Sequence, residues 1–132
     1  MKAFLFAAMV IVQTPVVKLV SLDRMHSVCG EDHEFAACTL FIAYTLDAHC
    51  QSQRLEASVT FRPMILLHDG KALSHEYLHI DDFRDYAAAY VTDIEQKRFE
   101  TDAQCQSDAQ AAIDNFPSTM REFSKRSMSH IH

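Results

Sequence analysis

The alternation of apolar and polar residues in the middle of the chain predicts β-strands. From Leu55 to Phe61, apolar side chains occupy every second position with polar ones between them, which is typical of a half-buried strand. Pro63 interrupts this pattern, and Met64 to Leu67 forms a second short apolar run that ends at an Asp-Gly turn signal. The aromatic and β-branched stretch from Phe35 to Leu46 suits a further strand. We therefore expect a small antiparallel sheet.

The pattern changes after Gly70, where glycine disappears and alanine-containing amphipathic stretches begin. These stretches predict three helices, from about Lys71 to Tyr90, from Thr101 to Asn115, and from Pro117 to Ser127. Together the two halves predict an α+β fold, in which a small antiparallel sheet is followed by three helices.

The first residues resemble a targeting segment. Lys2 precedes an apolar run from Ala3 to Val12 that is too short to span a bilayer. We expect a signal peptide over residues 1–21, with an uncertain boundary, and a single domain over residues 22–132. The alternative is that Phe4 to Val12 forms a buried first strand or helix.

Composition narrows the classes of function. The 132 residues carry a net charge of −6, from 12 basic and 18 acidic side chains, so no basic stripe is expected to bind a phosphate backbone. We expect neither a nucleic-acid partner nor stable membrane insertion.

The four cysteines are an even number, which in a secreted chain suggests two disulfides. Four cysteines allow three pairings, and the sequence does not choose among them. The pairing that we expect is Cys29 with Cys38 and Cys50 with Cys105, in a secreted or periplasmic protein. A zinc site built from cysteines is the weaker alternative, because the chain has no Cys-x-x-Cys pair.

Two histidines on the first predicted helix can share a metal ion. His75 and His79 are four residues apart and therefore project from one face of a helix, one turn from each other. Imidazole nitrogen is a good ligand for zinc, and Glu76 follows His75 at a position from which it can act on a metal-bound water as a general base. With eight His and seven Glu in 132 residues, about 0.03 such patterns are expected by chance. The alternative is a pair of surface histidines on an amphipathic helix.

At Ser74-His75-Glu76-Tyr77-Leu78-His79 the chain resembles the HExxH zinc metallopeptidases, the zincins, and among them the minimal gluzincin-like kinds. The resemblance extends to the order of strand before helix. It implies Zn²⁺ at His75 and His79, with Glu76 activating water.

The gluzincin arrangement implies a third ligand from the following helix, which leaves Glu95 and Glu100. Glu95 is expected to cap a helix instead, because Thr92-Asp93-Ile94-Glu95 matches a capping box. Glu100 is therefore the favoured third ligand, although a Glu followed four residues later by an Asp, the usual gluzincin pattern, is absent. Asp82 remains a candidate to orient His79 rather than to bind zinc.

Two functions are compatible with these residues. The first is a secreted zinc-dependent peptidase, a hydrolase acting on a peptide or protein substrate, with Glu76 as the general base. The second is a non-catalytic, disulfide-stabilised binding module in which the metal is structural or absent.

Overall fold

The computed structural model describes residues 9–29, 37–70 and 73–131, with all of their side chains except those of residues 42, 43 and 124–131. In chain order the elements are β1 (Met9–Val12), β2 (Val16–Leu19), α1 (Leu22–Cys29), β3 (Ala37–Gln51), β4 (Arg54–Leu67), α2 (Leu73–Glu95) and α3 (Asp102–Ile131).

The sheet is built around β4. On one edge, β3 pairs antiparallel with β4 along the whole length of both strands, from Ala37 opposite Leu67 to Gln51 opposite Arg54. On the other edge, β1 and β2 lie end to end, and both run parallel to β4. The result is a four-stranded mixed sheet.

The prediction of a small antiparallel sheet followed by three helices is wrong. Two of the four strands run parallel to β4, and both come from residues 1–21, the segment predicted as a leader. One helix, α1, precedes β3, and the two helices predicted on either side of Pro117 are the single helix α3. The helix that carries His75 and His79 does follow the sheet, although its predicted start at Lys71 lies outside the described residues.

Pro63 does not interrupt β4, because neither neighbouring strand needs a hydrogen bond from it. On the β3 side the register shifts between Phe41 and Ala43, opposite Pro63 and Arg62. On the other side Pro63 falls in the gap between β1 and β2, which is bridged by a 2.9 Å hydrogen bond from Gln13 N to Phe61 O. A proline inside a central strand is tolerated at such an irregularity.

Pro117 is likewise accommodated within α3. Proline removes one backbone donor from a helix. The carbonyl that would accept this hydrogen bond is that of Ile113, and α3 nevertheless continues past Pro117 to Ile131. Phe116 and Met120, one turn apart, are both buried. Their packing favours a continuous helix across the proline.

The predicted leader contributes β1 and β2 to the sheet, and Val10 and Val12 pack against the hydrophobic core. Residues 1–8 lie outside the described residues. The leader remains a prediction, and cleavage after residue 21 would remove both strands from β4.

Among the described residues, no helix is both long enough and apolar enough to cross a membrane.

The main core lies between one face of the β3–β4 hairpin and the helices α2 and α3. Its centre is Phe83 of α2, which is fully buried. The Phe83 ring stacks on Phe41 of β3 with centroids 3.9 Å apart, and it meets Phe61 of β4 at 4.6 Å. A smaller core, formed by Met25, Cys38 and Leu66, joins α1 to the sheet.

Both predicted disulfides are confirmed, and with them the predicted pairing. Cys29, the last residue of α1, is bonded to Cys38 of β3. Cys50, near the end of β3, is bonded to Cys105 in the first turn of α3. All four cysteines are thereby used, which excludes a zinc site made of free cysteine thiolates.

We expect Phe83→Ala to lower the free energy of unfolding by about 3–5 kcal/mol, because it leaves a cavity beside the rings of Phe41 and Phe61. Leu78→Ala is the matched control on the same helix, since Leu78 is 53% exposed. Its effect should stay within about 0.5 kcal/mol. Urea denaturation of both variants measures the difference, and equal destabilisation would contradict this description of the core.

Candidate metal centre

The first two turns of α2 place polar side chains where a buried helix face is expected to be apolar. The buried residues of this helix recur every three or four positions: Glu76, His79, Ile80, Phe83, Ala87, Val91 and Ile94. The last five continue as the core stripe, whereas the first two are a carboxylate and an imidazole. Burial of such groups is costly unless they are paired.

The exposed fraction of each side chain tests whether His75 and His79 are metal ligands or merely surface histidines. His79 is 4% exposed and Glu76 has no exposed surface, while His75 is half-buried. The alternative of two surface histidines is therefore wrong for His79. The motif faces the sheet, with His75 at the margin of the buried surface.

The three side chains converge. One ligand atom from each of His75, Glu76 and His79 can be chosen so that all lie within 4.8 Å of one another. The two imidazole rings are 5.4 Å apart between centroids and almost perpendicular, at 83°. In a tetrahedral zinc site with bonds of about 2.0–2.1 Å the donors would be about 3.4 Å apart, so modest side-chain rotations would close this group around an ion.

Thr39 of β3 holds the carboxylate in this group. Its hydroxyl donates a 2.8 Å hydrogen bond to Oε1 of Glu76 and lies 3.4 Å from the main-chain oxygen of the same residue. A hydroxyl has one proton to donate, so the shorter contact is the effective bond. Thr39 is itself buried, at 6% exposure, which keeps water from competing for Glu76 Oε1.

The helix also favours a negative charge at Glu76. This residue lies in the first turn of α2. The backbone N–H groups of a first turn carry a partial positive charge, which stabilises an anionic side chain there.

Glu100, the favoured third ligand, is not brought to this group. It is exposed and follows the end of α2, and its carbonyl accepts a 3.3 Å hydrogen bond from Gln53 Nε2 at the β3–β4 turn. The His pair lies at the opposite end of α2, and the helix extends about 30 Å between His75 and Glu95. The geometry therefore corrects the assignment of Glu100.

Glu95 has a different role from that expected, and the role of Asp82 in orienting His79 stays a prediction. Residues 92–95 belong to the last turn of α2, so no capping box forms, and Glu95 Oε2 instead accepts a 2.9 Å hydrogen bond from the backbone N of Ala57. Asp82 is half-buried on α2 and does not belong to the donor group found among the described residues.

Thr39 is the site residue that the sequence analysis missed. It was hidden within an apolar stretch of β3, where a single threonine is ordinary for a strand. The sequence did contain one indication of this position. Thr39 alternates with Ala37 and Phe41, and residues at every second position of a strand face the same side, here the core.

Comparison with models of known protein families found no match, and neither did comparison with curated proteins or with solved structures. The likeness to the zincins therefore rests on the short motif in α2 alone, and inference about function rests on the geometry of the site.

We expect Thr39→Val to lower the free energy of unfolding of the metal-free protein by about 1–3 kcal/mol, because a buried carboxylate oxygen loses its donor while side-chain shape is kept. Thr45→Val is the matched control, since Thr45 lies on the same strand but is exposed. Denaturation of both in the presence of a chelator tests this. Indistinguishable midpoints would mean that the Thr39–Glu76 bond contributes nothing to folding.

Proposed function

We propose that this protein is a disulfide-stabilised zinc-binding domain of an oxidising compartment, outside the cell or in a periplasm. The observation that carries this proposal is the convergence of the buried Glu76 and His79 with the half-buried His75 on one face of α2. Two imidazoles and a carboxylate within reach of one another form a donor set that can hold one metal ion.

Zinc suits the donor set best. Two imidazole nitrogens and one carboxylate oxygen match the ligands that zinc accepts in proteins, and the charge of Glu76 offsets part of the charge of the ion. Calcium and magnesium prefer all-oxygen surroundings and more ligands than this group offers. The paired cysteines support the compartment, because disulfides persist where the environment is oxidising.

In this proposal Glu76 is a ligand, and that conflicts with its predicted role as a general base. A base must contact the metal-bound water without occupying the metal itself. If Glu76 were the base, His75 and His79 would be the only protein ligands that the described residues offer at this point. Such a pair falls short of the three protein ligands usual at a catalytic zinc.

Peptide hydrolysis is retained as a second candidate, because the HExxH order lies on one continuous helix with both rings on the same side. Three protein ligands also leave a fourth coordination position, which a water could fill. The substrate would then be a peptide or protein approaching from the side of His75, which is the least buried of the three residues.

A single substitution separates the two roles of Glu76. We expect the parent to bind about one zinc per chain and Glu76→Gln to bind it at least about 100-fold more weakly, because a charged ligand is replaced by an amide. His79→Gln should behave in the same way, whereas Glu100→Gln and His49→Gln should retain the affinity of the parent. Calorimetric titration of metal-free protein, with elemental analysis, gives these values.

Hydrolysis of a quenched peptide library is measured on the same preparations. If Glu76→Gln keeps its zinc and loses cleavage by about 10²–10⁴-fold, Glu76 is a base and the peptidase assignment replaces ours. If the parent binds no zinc above background, the metal-binding proposal fails.

A further inference from the structure

The contact between Thr39 and Glu76 has a consequence for which metal the site accepts. Thr39 is fixed by the antiparallel pairing of β3 with β4, where it lies opposite Ile65, and by the neighbouring Cys38, which is bonded to Cys29. Branching at Cβ and burial also restrict rotation of its side chain, so the hydroxyl has little freedom to follow a moving carboxylate. The side chain of Glu76, in contrast, has several rotatable bonds. The orientation of its carboxylate therefore depends on the groups that contact it.

A carboxylate binds a metal through one oxygen or through both. Binding through both requires the plane of the carboxylate to turn so that each oxygen faces the ion. A 2.8 Å hydrogen bond from a rigid donor to Oε1 opposes that rotation. Ligating carboxylates are commonly oriented by such outer partners, and loss of the partner weakens metal binding.

The number of bound oxygens selects among metals. One oxygen and two imidazole nitrogens leave a site of low coordination number, which fits a four-coordinate ion such as zinc. Larger and harder divalent ions such as manganese take more oxygen ligands and gain from a carboxylate that binds through both oxygens.

We propose that Thr39 is a positioning residue which fixes Glu76 as a one-oxygen ligand and thereby makes the site selective for zinc over manganese. This inference rests on the proposed zinc-binding function of the same site. The choice of metal then depends on a residue of β3 as well as on the ligands of α2.

The test uses full-length protein with Zn²⁺, Mn²⁺ and Co²⁺ as separate probes. For Thr39→Val we expect the Kd for Zn²⁺ to rise by about 10–100-fold. The Kd for Mn²⁺ should change little, because a carboxylate without the Thr39 hydroxyl on Oε1 can turn to supply a second oxygen. Thr39→Ser keeps the hydroxyl and should restore the selectivity of the parent, while Thr45→Val, on the exposed side of β3, should leave both constants unchanged.

Cobalt supplies a readout that simple loosening of the fold would not produce. Four-coordinate Co²⁺ absorbs visible light strongly, and the absorption weakens as further ligands are added. We expect the Co²⁺ form of Thr39→Val to absorb more weakly per bound ion than the parent, and Thr39→Ser to recover the parent spectrum. Circular dichroism of each variant confirms that the comparison is made on folded protein.

The outcomes distinguish this inference from the proposed function. If the parent binds no Zn²⁺, the zinc-binding function itself is wrong. If the parent binds Zn²⁺ and Thr39→Val has the same metal preference and the same Co²⁺ spectrum, only the role of Thr39 is wrong. An equal loss of Zn²⁺ and Mn²⁺ affinity, or failure of serine to rescue, also overturns it, since the effect would then be one of packing.

Discussion

The packing of α2 against the β3–β4 hairpin is the interaction on which the rest of this structure depends. The hairpin alone is a two-stranded ribbon, which is marginally stable in water, and it gains stability by covering one face with a helix. Phe83 supplies the centre of that contact, where it packs against aromatic residues of both strands. The same packing brings the first turns of α2 over the start of β3, and that meeting point is where Thr39 contacts Glu76.

The candidate site is therefore a local exception within a hydrophobic interface. An interface of this kind is most stable when its positions are apolar, and a buried carboxylate is tolerated only with compensating contacts. Thr39 and the N-terminal turn of α2 each contribute to that compensation. A bound cation would add to it, because it would offset the charge of Glu76 and contact both imidazoles. Stability and function are linked here, since binding to the folded state alone stabilises that state.

Much of the local structure could be predicted from the sequence, and the failures have physical causes. Spacing alone placed His75 and His79 on one helix face, and the even number of cysteines predicted two disulfides, whose pairing only the structure decides. The parallel strands β1 and β2 were missed because a short apolar run near a basic residue looks alike in a leader and in a strand. Pro63 was expected to interrupt a strand and Pro117 to begin a new helix, but both lie inside continuous elements. Pro63 lies where the register with β3 shifts, and Pro117 lies beside the buried Phe116. Glu100 was proposed from a pattern in sequence, and only the three-dimensional path of α2 shows that it lies at the far end of the helix.

We propose that one zinc ion is held by two imidazoles and a carboxylate on α2. X-ray absorption at the zinc edge, on full-length protein loaded with one equivalent of zinc, tests this arrangement without relying on activity. We expect nitrogen and oxygen scatterers at about 2.0–2.1 Å, with the outer-shell signal of two imidazole rings and no sulfur. A sulfur scatterer at about 2.3 Å, or a spectrum without imidazole, would contradict it.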